Sequence, residues 1–187
     1  FSVDTLYRSQ EQFSENDTVI YNYKNDEGYV SGYDLYDDLI DVNVGHYGAS
    51  YIRKKLVEIF NNTDYFNTKE QKLLNDTKIE TKDERNGINY IVKDKLYLLT
   101  TNSTSYNGTE TLLKIGSVDD EKVIDKSYWL NGDDYWLRKE YTLDDAEGVY
   151  FVTPGASDGE SFGGGNPIMT SSIRPATNLN LSNVLFA

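Results

Sequence analysis

The stretch Ser50-Tyr51-Ile52-Arg53-Lys54-Lys55-Leu56-Val57-Glu58-Ile59-Phe60 carries the helical half of the fold. Ile52, Leu56, Ile59 and Phe60 recur at i, i+4, i+7 and i+8, one apolar stripe along a helix. Ser50 stands at the N-cap, where its hydroxyl can accept from a backbone N–H that the first turn leaves open. Asn61-Asn62-Thr63-Asp64 stops the run. A second helix is expected to begin near Thr68, opened by a capping box from Thr68 with Gln71 or from Asn67 with Glu70. Leu73 and Leu74 would supply its apolar contact.

Outward from this helix pair the hydrophobic period changes. Upstream, Thr18-Val19-Ile20-Tyr21-Asn22-Tyr23 alternates as a strand does, and Asn25-Asp26-Glu27-Gly28 reads as a turn. Residues 1–35 are otherwise irregular. Leu35, Leu39 and Ile40 suggest a short helix or turn carrying Asp37, Asp38 and Asp41. Downstream, residues 81–86 read as a charged loop and Gly87 opens a strand over 88–92. Lys93-Asp94 turns into Leu96-Tyr97-Leu98-Leu99, whose unbroken apolar character implies burial on both faces. Short strands follow around Trp129, around Trp136, over 148–152 and over about 172–181, with a long Gly-rich loop at 154–167. Helices early and short antiparallel strands late define an α+β fold: one or two helices packed on a small, twisted, mostly antiparallel sheet with long loops.

The 187 residues fit a single domain, 1–187, without a repeat or linker. The net charge of −13 disfavours nucleic acid, which requires a basic surface, and anionic lipid for the same reason. No apolar run is long enough for a membrane helix, so no membrane insertion is expected. With no cysteine, a disulfide scaffold, a zinc–thiolate site and a cysteine nucleophile are all excluded. The chain starts at Phe1-Ser2-Val3-Asp4 without a signal peptide, as a processed form or a piece of a larger protein would. The 16 tyrosines have two readings, wet recognition surface or a compositional bias shared with Asn, Asp and Lys.

Several clusters carry chemistry on paper. Trp129-Leu130-Asn131-Gly132-Asp133-Asp134-Tyr135-Trp136 gathers oxygen ligands and indoles around a turn. Asn131, Asp133 and Asp134 are candidate calcium ligands and Trp136 a candidate sugar platform; an Asn-Gly-Asp turn with tryptophan anchors in the core is the competing reading. One turn cannot supply the six to eight oxygens that calcium takes, so no firm metal and no cofactor is expected. Asp119-Asp120-Glu121 and Asp144-Asp145-Ala146-Glu147 lack EF-hand spacing and read as solvated loops. Phe162-Gly163-Gly164-Gly165-Asn166-Pro167 lacks the Lys-Ser/Thr of a phosphate loop and reads as a flexible ligand lid or partner contact, with Phe162 and Asn166 as its candidate ligand residues. Arg138 and Arg174 follow apolar residues in expected strands and should form structural ion pairs, or else clamp a ligand carboxylate. His46 is the only histidine and sits in a Gly-His-Tyr-Gly loop, so no catalytic role is assigned to it.

Taken in order, these motifs resemble an uncharacterised bacterial domain common in exported and surface proteins of gut Gram-positive bacteria. The resemblance runs through Ser50, Ile52, Arg53, Leu56 and Phe60, then Phe66 and Glu70, then Asp94 to Leu99, then Tyr135-Trp136-Leu137-Arg138, and last Ile173-Arg174-Pro175-Ala176. It covers roughly residues 40–181. Lys139-Glu140 replaces the Ser-Pro that the pattern has after Trp-Leu-Arg, and Thr177 replaces a Leu; both changes are expected in loops. The resemblance makes Arg53, Trp136, Arg138, Arg174 and Pro175 structural motif residues. It also implies an extracellular or cell-surface location beside other domains of a parent chain. A Trp-rich strand, a Gly-rich loop and a closing Arg strand in that order resemble C-type-lectin-like and formylglycine-enzyme-like folds, of which the C-type-lectin-like arrangement is the expectation.

The expectation is a non-catalytic binding module whose ligand is a glycan or a surface protein. A carboxylate-based hydrolase resembling the glycoside hydrolases would instead need a cleft holding a buried acid of raised pKa. A structural spacer would have no concave aromatic patch.

Overall fold

The computed structural model describes residues 7–16, 18–23, 28–29, 39–101, 112–113, 133–143, 146–153, 162–180 and 182. Its strands are β1 (Tyr7–Gln12), β2 (Val19–Tyr21), β3 (Gly28–Tyr29), β4 (Ile40–Val42), β5 (Leu74–Asn75), β6 (Thr77–Lys82), β7 (Asn89–Asp94) and β8 (Tyr97–Leu98) in the first half. The second half has β9 (Thr100–Thr101), β10 (Leu112–Leu113), β11 (Tyr135–Leu143), β12 (Ala146–Val152), β13 (Phe162–Gly165), β14 (Thr170–Ile173), β15 (Pro175–Ala176) and β16 (Asn178–Leu179). A 3-10 turn at Tyr47–Ala49 leads into helix α1 (Tyr51–Asn61), and a one-turn helix α2 (Thr68–Gln71) follows. The fold is α+β.

The largest sheet has the order β1-β14-β11-β12-β13. All its pairings are antiparallel except β11 with β14, which run parallel through Tyr135 and Ser172. Tyr135, Trp136, Leu137 and Arg138 of β11 are all buried, as a strand covered on both faces requires. Between Trp136 and Glu140 the register with β12 shifts, and here Arg138 N–H donates to the Leu99 carbonyl at 2.9 Å. A β3-β7-β6 sheet and the two-stranded ribbons β2–β4, β5–β16, β8–β15 and β9–β10 complete the described strands.

Helix α1 forms where its apolar stripe places it. Ile52, Leu56 and Ile59 are buried and Phe60 packs beside them. Ser50 Oγ accepts from Arg53 N at 3.1 Å and donates to the Tyr47 carbonyl at 2.7 Å, so one hydroxyl joins the 3-10 turn to the helix. Of the two capping boxes the spacing allowed for α2, Asn67 and Glu70 form the one present. Arg53 then ties the helix start to the sheet: its guanidinium contacts both Asp94 oxygens at 3.0–3.1 Å and donates to the Gly48 carbonyl at 3.1 Å.

The structure redraws several expected elements. The second helix ends after one turn, and Leu74 already belongs to β5. In β6, Thr77 and Ile79 point inward while Lys78 and Glu80 face out; this period of two favours a hairpin with β7 over a helix. Residues 81–82 are therefore strand rather than loop, and Lys93-Asp94 closes β7 instead of turning. Ile40 lies in β4, paired with β2, not in a helix. Lys139-Glu140 lies inside β11, not in a loop. The single closing strand is three short ones, β14, β15 and β16, each paired with a different partner.

The Gly-rich segment 162–165 is likewise strand β13. An added Cβ would come within 2.6 Å of the Phe151 ring at Gly163 and 2.7 Å of the Tyr141 ring at Gly164. The glycines let these rings lie against the strand backbone, so the sequence there serves packing. The expected strand at Trp129, the clusters at 119–121 and 144–145, and Leu35, Asp37 and Asp38 lie outside the described residues.

Tyrosine supplies much of the core. Tyr21, Tyr23, Tyr47, Tyr90, Tyr97, Tyr135 and Tyr150 are all buried. Their hydroxyls reach polar partners: Tyr23 donates to Asp83 at 2.6 Å, Tyr47 donates to Asp94 at 3.2 Å, and Tyr90 accepts from Gly48 N at 3.2 Å. A buried ring with a satisfied hydroxyl is a stable use of the residue.

Candidate functional site

The described surface carries an open groove of about 470 Å³ at the start of α1. Its lining comes from segments 14–16 and 18–20, the turn and cap at 48–51, and Arg53, Lys54 and Val57 of the helix. The β1–β2 segment is held there by backbone bonds. Phe13 N and Ser14 N both donate to the Pro167 carbonyl at 2.8 and 3.1 Å, and Phe13 O accepts from Ile52 N at 3.3 Å. Ile20 and Val57 are 59% and 48% exposed, so each side of the groove presents an aliphatic side chain to solvent. Glu15 and Lys54 add one exposed charge of each sign. Val57 also borders a smaller groove of about 220 Å³ lined by Phe60, Asp76 and Lys95, whose ammonium lies 5.5 Å from the Phe60 ring centroid.

A second polar assembly lies buried. The His46 ring stacks on Tyr90, with 4.3 Å between centroids and 10° between planes, and also meets Tyr21 and Tyr23. Its Nδ1 accepts from Ala49 N at 3.2 Å, which places the proton on Nε2. Nε2 has no hydrogen-bond partner among the described residues. Burial pulls the His46 pKa down to about 3, so the ring is neutral near pH 7.

Beside it, Asp83 accepts from Tyr23 Oη at 2.6 Å, Asn86 Nδ2 at 2.6 Å and Arg85 N at 3.0 Å. Glu140 accepts from Glu84 N at 2.6 Å through Oε2, and its Oε1 is buried with no partner among the described residues. Burial, then the Asp83 charge, pushes the Glu140 carboxyl well above the usual range. Arg85 closes the outside of the assembly, paired with Glu147 at 2.6 and 2.8 Å and with Asp41 at 2.8 Å.

The residues singled out in the sequence fall in different places. Trp136 is 2% exposed; its ring meets Phe13 and Phe151 edge-on and its Nε1–H donates to the Glu11 carbonyl at 2.8 Å. The ring is a core anchor and offers no face for stacking. Asp133 and Asp134 are exposed neighbours, and partial burial followed by the Asp133 charge raises the Asp134 carboxyl. Asn131 and the side chain of Phe162 lie outside the described residues. Asn166 Oδ1 accepts from Ile168 N at 3.1 Å, which fixes the turn after β13. No group of three or more His, Asp or Glu among the described residues is arranged to hold a metal.

The motif arginines make separate contacts. Arg53 pairs with the Asp94 carboxylate. Arg138 is fully buried and donates to the Leu98 carbonyl. The Arg174 guanidinium lies 4.3 Å from the Tyr135 ring centroid, and Pro175 pairs with Leu98 in the β15–β8 ribbon.

The groove and the buried assembly were both missed at the level of sequence. The available signal was small: Ile20 and Val57 are apolar at positions that their own elements turn outward. His46 and Glu140 gave none, since nothing local shows that they converge with Asp83 and Tyr23.

Comparison with curated proteins and with solved structures yields no match. A family model described as a domain of unknown function (DUF6273) matches residues 22–181. It takes in all of the motifs above and starts ahead of the resemblance read from them. With so much of its length matched, from the residue after β2 past the closing Arg-Pro ribbon, the chain belongs to this family of domains of unknown function.

Proposed function

We propose that this domain is a non-catalytic binding module that takes a protein or glycan ligand in the groove at the start of α1. The observation that carries this reading is the lining itself. Two exposed aliphatic side chains, Ile20 and Val57, flank backbone and side-chain hydrogen-bonding groups, the mixture expected of a recognition surface. The bacterial, exported or cell-surface setting rests on the motif resemblance and forms part of the proposal, as does a lectin-like relationship.

The competing hydrolase reading has one specific support, the raised carboxyl of Glu140. A glycoside hydrolase places two carboxyls across one cleft. The described groove lining contains one carboxylate, Glu15, and Glu140 is not part of it. Glu140 is instead buried, with its Oε2 held by the Glu84 amide, where a substrate bond has no access. This favours binding over hydrolysis.

The test is a glycan array and a linear-peptide panel, probed with the whole chain and with Val57→Asp. Val57 is half-exposed, so the variant should keep its urea midpoint. Ligands lost by Val57→Asp place recognition in the groove. Ligands kept by it but lost by Asp133→Asn with Asp134→Asn would move recognition to the turn before β11. The absence of any ligand on both panels would favour the spacer role.

A further inference from the structure

The loop between β6 and β7 carries Asn86-Gly87, a dipeptide that also occurs at Asn107-Gly108 and Asn131-Gly132, outside the described residues. Asn-Gly is chemically labile. With no Cβ on the glycine, its amide nitrogen can approach the side-chain carbonyl carbon of the asparagine and close a succinimide ring.

The folded loop engages both reacting groups. Gly87 N–H donates to the Asp83 carbonyl at 2.7 Å. Asn86 Nδ2 donates to Asp83 Oδ2 at 2.6 Å and to the Asp41 carbonyl at 3.0 Å. Ring closure needs both to let go: the nitrogen has to lose its proton, and the side chain has to swing onto it. Asp83 holds the loop shut at its base. Its N–H donates to the Ile88 carbonyl at 2.8 Å, and its carboxylate accepts from Tyr23 Oη and Arg85 N. Asp83 is fully buried, so opening the loop strips donors from a charge that is costly to leave unpaired. Two further ties reach other elements: Glu84 N donates to Glu140, and Arg85 pairs with Glu147 and Asp41.

We infer that Asn86 is a latent deamidation site, closed in the folded loop and converted when that loop opens. The inference is independent of the groove. In the open loop, hydroxide takes the Gly87 amide proton and the nitrogen attacks Asn86 Cγ. A C–N bond forms, the Cγ–Nδ2 bond breaks, and Nδ2 leaves as ammonia with a proton from water. Water then opens the succinimide at either carbonyl, leaving aspartate or isoaspartate at this position. The change runs one way. A donor that satisfied two acceptors becomes a carboxylate set against the Asp83 carboxylate and the Asp41 carbonyl, so the loop loses the bonds that closed it. Conversion at Asn86 therefore records how much of the time the loop spends open, a local event distinct from global unfolding.

The experiment is peptide mapping by mass spectrometry of the whole chain held at mildly alkaline pH, folded and in concentrated urea. Conversion at Asn86 should be at least about tenfold slower in the folded chain than in the unfolded one. Arg85→Ala removes the ties to Glu147 and Asp41, and should speed conversion at Asn86 in the folded chain by more than at Asn107 and Asn131. Those two positions monitor any general loss of structure in the variant. Asn86→Asp, the product of conversion, should lower the urea midpoint more than Asn86→Ala, which removes the donor without adding charge.

Equal rates at Asn86 in the folded and unfolded chain would overturn the closed loop, and no conversion in urea would overturn the site itself. Slow conversion that Arg85→Ala leaves unchanged, or changes equally at all three positions, would overturn loop opening as the gate. An Asn86→Asp chain as stable as Asn86→Ala would overturn the one-way change.

Discussion

His46 lies flat against Tyr90, 4.3 Å between ring centroids, with its Nδ1 accepting from the Ala49 amide. A neutral imidazole suits this stack, because an imidazolium would carry its charge in a fully buried site. Groups that face it are Tyr21 and Tyr23 from the β2 segment, Tyr90 from β7, and the Asp83 and Arg53 charges, which act in opposite directions.

The sign of the pH effect follows. The folded pKa is about 3 against an ordinary 6.5, so the unfolded chain binds more protons between those values. This contribution is complete above about pH 6.5 and is lost as pH falls toward 3. The limiting slope is roughly 1.4 kcal/mol per pH unit. His46→Phe should flatten that part of the profile, read as urea unfolding free energy from pH 7 to pH 4.

Glu140 acts in the opposite sense. Its folded carboxyl keeps a proton that the unfolded chain releases above the ordinary glutamate range. Its contribution is complete below that range and is lost as pH rises through the folded value. Glu140→Gln should therefore stabilise the protein at pH 7, on the order of 1–3 kcal/mol, and change little at pH 4. Equal shifts at both pH values would contradict a buried, protonated acid.

Arg53 and Asp94 form a pair whose acid is almost fully buried and also accepts from Tyr47. Removing one partner leaves the other charge uncompensated, so Arg53→Ala should cost about 3–5 kcal/mol. The double variant Arg53→Met with Asp94→Leu should recover a substantial part of that loss, as measured by chemical denaturation.

Gly45 has no room for a methyl group. An added Cβ would lie 2.1 Å from the Gly148 carbonyl oxygen, a backbone atom that cannot rotate away. Gly45→Ala should destabilise by about 3 kcal/mol, the upper end of the usual overpacking range. Gly87, at φ 70° with open space around it, should tolerate alanine sterically and lose stability only through its backbone conformation. Thermal midpoints of the two variants compare these mechanisms directly.

Helix α1, its Ser50 cap and the burial of residues 96–99 were legible in the sequence, and the Asn67–Glu70 capping box was one of the two that the spacing offered. Each depends on residues within about two helical turns or on one apolar run, and local spacing alone encodes such features. The α+β class followed from the change of period along the chain. Register and partner choice did not. The three closing strands, the strand at 162–165 and the place of Lys139-Glu140 inside β11 each depend on what the remote partner offers. Glycine reads as a loop former until Phe151 and Tyr141 are seen lying on it.

Tertiary structure alone made the groove and the buried assembly. The groove joins segments 14–16 and 18–20 to the first turns of α1, and the assembly joins His46, Asp83 and Glu140 from separate parts of the chain. Solvent exclusion keeps His46 neutral and pushes the Glu140 carboxyl up, and solvent exclusion is a property of the packed neighbours rather than of any residue's own sequence.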